Sequence, residues 1–453
     1  MVITEQQERI EHWYADLSRA IDNFQPVSIT GVVSEVQGTM IECSLPYSRV
    51  GDICKIALNE KDYVLAEVVG FNKTATMVAA LGGLEGIAAG AKIYPLYHPH
   101  QICVSDNLFG QVLDGFGRPL SGGTGAFTTD PTNPNAVPVI RDGIPPTERP
   151  RITDPIETGV KAIDSMITLG EGQRVGVFAG AGCGKTTLIA ELARGADCDA
   201  IVFGLIGERG RELREFLDHE LDDELRSKSV LVCATSDRSS MERARAAFTA
   251  TAIAEGFRES GKRVILLIDS LTRLARAQRE IGLAAGEPPG RGGFPPSVYT
   301  LLPRLIERAG RSETGVITAV YTLLIEQDSM SDPIADEARS LLDGHIILAR
   351  KLAEQGHYPA IDVQSSLSRT MVNVVTTGHT QLATRFRQLL SAYKDVEMLI
   401  KLGEYQPGND PLTDQAVALH PHLMHFLQQG QRDPTDLEDS LSQMAEVLNY
   451  EAA

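Results

Sequence analysis

The sequence has few of the features that mark disulfide-rich, secreted or membrane-spanning proteins. It contains six cysteines, none in a C-x-x-C pair, and this usage fits free thiols in a reducing cytoplasm. No uninterrupted apolar run is long enough to span a bilayer. The first residues also lack the basic region, apolar core and cleavage site of a secretory signal. We therefore expect a cytoplasmic protein.

Positive charge is scarce as well. The 453 residues include 42 Lys and Arg against 60 Asp and Glu, for a formal net charge of −18. Affinity for phosphate backbones comes from clustered Lys and Arg, so this balance disfavours a general nucleic-acid binder, although it leaves room for a local basic groove. A chain of this length exceeds what one hydrophobic core usually organises, and two or three domains are expected.

Residues 172–192, GQRVGVFAGAGCGKTTLIAEL, form the stretch around which the chain is organised. Val175 to Ala179 is a short apolar run that suits a buried parallel strand, and the helix formers from Thr187 to Arg194 stop at a glycine. In the turn between them, small residues let backbone N–H groups converge on a triphosphate at the positive end of the new helix. The residues predicted to bind ATP here are Gly180, Ala181, Gly182, Cys183, Gly184, Lys185, Thr186 and Thr187.

Two of these residues have separate roles in a phosphate-binding loop. Lys185 is predicted to reach the β and γ phosphates, and Thr186 is predicted to hold Mg²⁺. The strict pattern has a glycine five places before Gly184, where this chain has Ala179. A chance Gly-Lys-Thr in a glycine turn is disfavoured because strand, loop and helix occur in the required order.

The N-terminal part predicts a helix followed by a β domain. Residues 5–21 carry apolar side chains at steps of three and four, which make one stripe on a helix that packs either on its own domain or on a partner. From 27 to 97, short β-rich runs alternate with turn residues and indicate a small antiparallel barrel or sandwich. Residues 110–123 and the proline-rich 130–155 read as an irregular connector.

After the phosphate loop, apolar strands alternate with helical stretches, which predicts a parallel sheet with helices on both faces. The predicted strands are 199–207, 229–235, 263–269 and 315–326, and the predicted helices are 211–226, 239–260 and 270–285. Ligands of such sheets bind beyond the carboxyl ends of the strands. From 381 to 453 the spacing of apolar residues is helical, and we expect a small helical domain.

Two carboxylates follow predicted strands at that edge. Asp269 ends the run VILLID and is predicted to face Mg²⁺, with a helix N-cap as the alternative. Glu208 follows VFGLIG and precedes positive residues, where a surface ion-pair cluster is the alternative. Hydrolysis needs a group that orients water in line with the γ phosphate, and a carboxylate at a strand end close to Asp269 suits that role.

The motifs together resemble the ATPase of bacterial type III protein secretion and flagellar export, a relative of the catalytic subunit of rotary ATP synthases. The matching motifs are GAGCGKTT, LIGERGRE, LLIDSLTRLARAQREI, GEPPGRGGFPPS, ADEARSLLDGHIILARKLAEQGHYPAIDV and SSLSR. They span nearly the whole chain in fixed order, and GCGKTT favours the non-flagellar branch. The resemblance implies an α/β fold with a RecA-like P-loop ATPase domain, an N-terminal β-barrel and a C-terminal helical domain. The implied domains are an amphipathic helix at 1–25, a barrel at 26–97, the ATPase domain with its connector at 98–375 and a helical domain at 376–453.

The resemblance also assigns roles that the residues alone do not. It implies that Glu208 is the catalytic carboxylate, that Arg209 contacts the γ phosphate and that Arg369 is an arginine finger presented to the neighbouring subunit. Tyr358 matches an aromatic residue that lies against adenine, and Tyr405 is a candidate for the opposite wall; either could also be a packed core ring. The glycine- and proline-rich segment 287–297 matches one that faces a central pore.

The implied function is that of an ATP-driven motor for type III export, which detaches chaperones from cargo and helps to unfold it. The implied partners are five further copies in a homohexamer, a stator protein at the N-terminal helix, a coiled-coil central stalk and chaperone–cargo complexes at the C-terminal domain. The motor would act on the inner-membrane export gate indirectly, at the cytoplasmic face of that membrane. A hexameric RNA translocase of the transcription-terminator type and a non-catalytic ring subunit are the alternatives; the acidic balance disfavours the first, and Glu208 the second.

Overall fold

The computed structural model describes residues 13–14, 16–19, 29–59, 62–130, 133, 135–325 and 332–449. They divide into two compact units, one formed by residues up to 80 with 84–97, and one formed by 81–83 with 98–453. Most of the predicted N-terminal helix lies outside the described residues. Trp13, Tyr14 and Leu17 of its apolar stripe are described; they are helical and exposed.

The first unit is a closed barrel of six strands, joined in the order β1-β2-β5-β4-β3-β6. The strands are β1 Gly31–Gln37, β2 Met40–Ser44, β3 Asp52–Ala57, β4 Tyr63–Phe71, β5 Thr76–Ala80 and β6 Lys92–Pro99. Val33, Ile41, Ile56, Val68 and Val78 fill its interior and are at most 1% exposed. The barrel predicted as one of two β alternatives is confirmed, because a sandwich would leave open edges.

The second unit is built on a nine-stranded sheet in which β20-β19-β13-β18-β16-β14-β15-β8 are neighbours and β17 pairs with β18. Its strands are β8 Val112–Leu113, β13 Arg174–Ala179, β14 Ala200–Ile206, β15 Ser229–Ala234, β16 Arg263–Asp269, β17 Gly310–Arg311, β18 Val316–Leu324, β19 Gly344–Leu348 and β20 Leu367–Ser368. Two small sheets lie in the same unit, from β7 Gln101–Cys103, β9 Phe127–Thr128 and β10 Ala136–Pro138, and from β11 Pro155–Ile156 and β12 Leu169–Gly170. The central strands are parallel.

Helices cover both faces of this sheet, which explains why its central strands are apolar throughout. They are α1 Lys161–Met166, α2 Lys185–Gly195, α3 Gly210–Glu215, α4 Asp223–Ser227, α5 Ser240–Glu259, α6 Leu271–Ala284, α7 Pro296–Ile306, α8 Pro333–Leu341, α9 Arg350–Glu354, α10 Met371–Val374, α11 Thr377–Leu402, α12 Pro411–Phe426 and α13 Leu437–Asn449. Alternate residues of β14 enter opposite cores: Val202 packs into one cluster, while Ile201 and Phe203 pack into the other. None of the helices in the described part of the chain is long and apolar enough to cross a membrane.

Three parts of the second unit differ from the sequence-based expectation. The segment expected to be irregular between 110 and 123 contributes β8, which pairs with β15. The helix expected over 211–226 is interrupted by a π-helical segment at Phe216–Glu220, where the Phe216 ring packs edge-on against Phe203 at a centroid distance of 5.3 Å. Strand β19 lies beside β13 and was not predicted.

The C-terminal helices α11, α12 and α13 pack together without strands, as the sequence predicts for this region. The Phe386 and Phe426 rings meet across α11 and α12 at 5.4 Å. Arg387 of α11 donates hydrogen bonds to the carbonyl oxygens of Met166 and Ser366, which fastens the C-terminal helices to the rest of the second unit.

Candidate nucleotide-binding and catalytic site

The glycine-rich loop lies between β13 and α2, at the carboxyl edge of the parallel sheet. Gly182 and Gly184 both have φ of 82°, a left-handed conformation that side chains rarely adopt. Gly184 is the N-cap of α2, whose first turn contains no acidic residue. The free N–H groups and positive end of the helix therefore face the loop without a competing carboxylate, which fits a phosphate site.

Lys185, the first residue of α2, lies between the buried carboxylate of Asp269 and the partly buried one of Glu208. Its Nζ is 2.5 Å from Oδ1 of Asp269 and 3.7 Å from Oε1 of Glu208. Asp269 ends β16 and is 3% exposed, and its Oδ1 also accepts a hydrogen bond of 2.7 Å from Thr322 Oγ1. Three strand ends thus bring together the cation and both carboxylates that the sequence predicts for one site.

Thr186, Glu208 and Asp269 line one cavity of about 420 Å³, together with Glu212 and apolar side chains. A hydroxyl and carboxylate oxygens are the ligand types that Mg²⁺ prefers. The residues present therefore fit a magnesium ion, which Thr186 and Asp269 would hold.

Glu208 has an unusual protonation equilibrium. Burial, a hydrogen bond shared with Glu212 and the charge of Asp269 raise its pKa, whereas Lys185 and Arg273 lower it, and the net result is a rise from 4.5 to about 7. The same hydrogen bond lowers the pKa of Glu212, so the shared proton resides on Glu208. A carboxyl with a pKa near neutrality is suited to accept and return a proton during hydrolysis.

Arg273 is a site residue that the sequence analysis missed. Its Nη2 lies 3.1 Å from Oε2 of Glu208, and its Nη1 donates to the carbonyl oxygen of Gly207. Arg273 thus fixes the backbone before Glu208 and the carboxylate itself. Its signal was present in the sequence, because a residue in the first turn of a helix that follows Asp269 must lie near the same sheet edge.

Tyr358 borders a second cavity next to the phosphate loop. This open cavity has a volume of about 790 Å³, and its lining includes Gly184, Thr187 and Tyr358 together with Gln429 to Gln431 and Pro434. A side chain at Gly184 would lie 3.8 Å from the Tyr358 ring, which is 46% exposed. An exposed aromatic ring beside a phosphate loop fits a base-binding position.

Tyr405 does not line this cavity. Its hydroxyl donates a hydrogen bond of 2.5 Å to Asp414 of α12, whereas the segment after α12, Gln429 to Gln431 with Pro434, does line the cavity. The ring at position 405 therefore stabilises the turn between α11 and α12 in this chain, because the carboxylate of Asp414 also accepts the N–H of Gly408.

The two predicted arginines lie outside the phosphate pocket of their own chain. The side chain of Arg209 is 79% exposed, and its Nη1 pairs with Glu212 at 2.9 Å. Arg369 follows β20 and is exposed, and its main-chain N–H donates to the carbonyl oxygen of Asp343. Ser368 is paired with Gly344 at the amino end of β19, whereas the phosphate loop follows the carboxyl end of the adjacent β13. Arg369 therefore lies at the opposite end of the sheet from Lys185.

Comparison with known families matches this architecture over most of the chain. The nucleotide-binding domain of the ATP synthase alpha/beta family matches residues 159–368, and the C-terminal domain of the type III secretion ATPase EscN matches residues 375–446. The type 3 secretion system ATPase of Pseudomonas syringae pv. tomato is 61% identical over 97% of this chain and 98% of its own length. The chain belongs to the type III secretion ATPase family.

Two solved structures and a flagellar relative are also similar to this secretion ATPase. The assembled EscN of enteropathogenic E. coli is 45% identical, with a TM-score of 0.86 over 92% of this chain and all of that one. EscN in complex with its central stalk EscO gives a TM-score of 0.84 at 44% identity and the same coverage. The flagellum-specific ATP synthase of Bacillus subtilis is 44% identical over 93% of this chain and 95% of its own length.

These relatives confirm the predicted fold class, the ATP-hydrolysing activity and the role as a motor of type III protein export. The higher identity to the secretion ATPase than to the flagellar one agrees with the branch that the phosphate-loop sequence favours. The relatives give no support to an RNA translocase.

Proposed function

We propose that this secretion ATPase works as a homohexamer that hydrolyses Mg·ATP between adjacent subunits, with Arg369 supplied to each site by the neighbour. The observation that carries this proposal is the separation of Arg369 from Lys185 on one sheet. β19 contains five residues, and at about 3.3 Å per residue its length keeps the two ends of the sheet apart. A head-to-tail ring brings opposite edges of neighbouring copies together. The EscN relative has been described in an assembled state.

In this proposal each pocket residue has a defined task. The N–H groups of Gly182 and Gly184 and the ammonium of Lys185 hold the phosphates, and Thr186 and Asp269 hold the magnesium ion. Magnesium neutralises charge that develops on the phosphate oxygens. Glu208 orients the attacking water and accepts its proton, which is the task that its raised pKa suits.

Two arginines complete the pocket on ligand binding. Arg209 turns from Glu212 toward the γ phosphate, a change that its exposed side chain makes without disturbing packing. Arg369 enters from the adjacent subunit and stabilises the negative charge of the transition state. Tyr358 stacks on the adenine, with Tyr405 as the residue predicted from sequence for its opposite wall.

The partners follow from the same family membership. We propose a coiled-coil stalk at the central pore, where residues 287–297 face it, as EscN is found in complex with the stalk EscO. A stator protein at the N-terminal helix, chaperone–cargo complexes at the C-terminal helices and an indirect action on the inner-membrane export gate complete the proposed assembly. The motor then works on the cytoplasmic side of the inner membrane, releases chaperones and helps to unfold cargo.

ATP hydrolysis measured against subunit concentration tests the proposal. The rate per subunit should rise as the ring forms, and Arg369→Ala should lower it by about 10³ to 10⁵, which is what an arginine finger contributes. Arg211→Ala is the matched control, since Arg211 is exposed and forms only an i,i+4 ion pair with Glu215. A rate per subunit that is independent of concentration, or full activity of Arg369→Ala, would contradict the proposal. Stimulation of hydrolysis by RNA would favour the translocase instead.

A further inference from the structure

The buried amide of Gln173 lies between the phosphate-loop strand and the segment that carries Arg369. Gln173 immediately precedes β13 and is 0% exposed. Its Oε1 accepts hydrogen bonds from Thr370 Oγ1 at 2.5 Å and from Ser368 Oγ at 3.3 Å. Its Nε2 lies 3.1 Å from the same Ser368 hydroxyl. One side chain therefore contacts both residues that flank Arg369.

The orientation of this amide is fixed by groups that can act in only one way. The main-chain N–H of Gly170 donates to Oε1 at 2.9 Å, and the carbonyl oxygen of Asp343 accepts from Nε2 at 3.3 Å. An N–H only donates and a carbonyl only accepts, so the two ends of the Gln173 amide cannot be exchanged. Backbone groups thus fix the orientation of the Gln173 amide, and the amide holds the hydroxyl groups of Ser368 and Thr370.

The neighbouring residue holds Arg369 by a second route. The carboxylate of Asp343 accepts hydrogen bonds from the main-chain N–H, Nε and Nη2 of Arg174 at 3.0 to 3.1 Å. The carbonyl oxygen of Asp343 accepts the main-chain N–H of Arg369 at 2.9 Å. Gln173 therefore holds the side chains on both sides of Arg369. Arg174 holds Asp343, whose carbonyl oxygen accepts the main-chain N–H of Arg369.

The chain is closely packed around the contact between Gln173 and the Arg369 segment. A Cβ at Gly344 would lie 2.9 Å from Nε2 of Gln173 and 2.6 Å from the carbonyl oxygen of Leu367. The Arg369 side chain, by contrast, is exposed and forms no ion pair with any residue that the structure describes. The backbone at Arg369 is therefore held in place while its guanidinium group stays accessible. A side chain that acts on another molecule needs both properties.

We propose that Gln173 is a positioning residue for Arg369: it acts on hydrolysis in the neighbouring subunit rather than in its own. This inference depends on the proposed function, in which Arg369 completes the adjacent site. Gln173 touches neither the phosphate loop nor the cavity beside Tyr358, so loss of its amide leaves the pocket of its own chain intact. Loss of the amide instead frees Ser368 and Thr370 and displaces the arginine between them. A displacement of about 1 Å lowers a rate by about 10²-fold.

Mixed rings separate these two sites of action. A finger donor carries Lys185→Ala, which disables its own pocket but keeps Arg369. A pocket donor carries Arg369→Ala, which keeps its pocket but supplies no finger. Co-expression of the two with different tags yields rings in which about one quarter of the interfaces pair an intact pocket with an intact finger in a head-to-tail arrangement. These rings should hydrolyse ATP, while rings of either variant alone should not.

Gln173→Met is then added to one donor at a time, since methionine has a similar length and no amide. In the finger donor it should lower the restored rate by about 10²-fold. In the pocket donor it should leave the restored rate within about twofold, which also demonstrates that the variant folds and assembles. Affinity for a non-hydrolysable ATP analogue, measured on Gln173→Met alone, should not change. Equal loss in both donors, or no loss in either, would overturn the role of Gln173.

Two further variants keep the test decisive. Thr318→Val is the matched control. The buried Thr318 hydroxyl accepts the N–H of Gly172 at the same end of the sheet but does not touch the Arg369 segment. The substitution should therefore change the restored rate equally in the two donors. If the Gln173→Met finger donor fails to enter rings, Thr370→Val removes only the hydroxyl beside Arg369 and should show the same asymmetry. The mixed rings with wild-type Gln173 in both donors test the proposed function alone. If these rings do not hydrolyse ATP, the proposal that Arg369 acts on the neighbouring subunit is wrong, whatever the role of Gln173.

Discussion

The ammonium of Lys185 lies between Asp269, at 2.5 Å, and Glu208, at 3.7 Å, so one cation contacts both acidic side chains of the pocket. This arrangement holds the pocket together before nucleotide binds. In the proposed function, Lys185 would exchange these partners for phosphate oxygens, and Asp269 would then be available to hold magnesium. The protonation of Glu208 is coupled to the same exchange, because Lys185 is one of the charges that lower its pKa.

Glu208→Gln should abolish turnover while leaving nucleotide binding largely unchanged. Glutamine preserves the shape but cannot accept the proton of the attacking water, and such a loss costs about 10² to 10⁴ in rate. Steady-state hydrolysis and binding of a non-hydrolysable analogue measure the two effects. Glu215→Gln, at an exposed position in the neighbouring helix α3, is the matched control and should retain normal turnover. Normal turnover of Glu208→Gln would indicate a non-catalytic ring subunit.

The same substitution should change how stability depends on pH. Burial raises the pKa of Glu208 from 4.5 to about 7, so between these values the folded chain binds more protons than the unfolded one. Stability contributed by the protonated carboxyl is therefore complete below pH 4.5 and is lost as pH rises through 7. Thermal unfolding without nucleotide should show Glu208→Gln gaining stability relative to wild type at pH 8 compared with pH 5. A difference that is constant across this range would show that Glu208 is not protonated in the empty pocket.

Tyr358→Ala should weaken ATP binding by about 5- to 150-fold, because stacking on a base contributes about 1 to 3 kcal/mol. Tyr358→Phe keeps the ring and should bind normally, which separates stacking from hydrogen bonding. Equilibrium binding of a fluorescent ATP analogue measures both variants. Tyr405→Ala should bind ATP with normal affinity, because Tyr405 is hydrogen-bonded to Asp414 and does not line the cavity. A loss of affinity as large as that of Tyr358→Ala would instead support the sequence-based prediction that Tyr405 contacts adenine.

Glu255→Ala should destabilise the ATPase domain by about 3 to 5 kcal/mol, because it leaves a buried charge without its partner. Arg308 is 0% exposed and pairs with Glu255 through both Nε and Nη2, at 2.9 and 2.5 Å. Glu259→Ala is the matched control, since Glu259 pairs with Arg141 on the surface and should cost at most about 1 kcal/mol. Urea denaturation compares the two. Equal midpoints would contradict the importance of the buried pair.

The phosphate loop could be predicted in detail because its signals are local. An apolar strand, small residues and a helix with a definite end all fall within 172–195, and the structure places the loop between β13 and α2. Asp269 and Glu208 could be predicted for a similar reason, since a carboxylate directly after a buried strand must lie at the ligand-binding edge. For each of these two carboxylates, recognising the single strand that precedes it is enough to predict its position.

Other features depend on contacts between distant segments. β19 is only five residues long and is followed by helix formers, so its pairing with β13 decides its structure. The helix expected over 211–226 gives way at Phe216, which packs against Phe203 of β14. The hydrogen bonds of Gln173 join residues separated by 195 and 197 positions, and no spacing rule finds such a pair.

The six-stranded barrel has one more implication for assembly. A sheet with free edges can recruit an extended segment from another protein by main-chain pairing, whereas a cylinder in which β6 returns to β1 has already used those groups on itself. Any protein that recognises this unit must therefore do so through side chains and turns. Specificity at this unit is set by its surface composition, and it can change through point substitutions while the barrel remains intact.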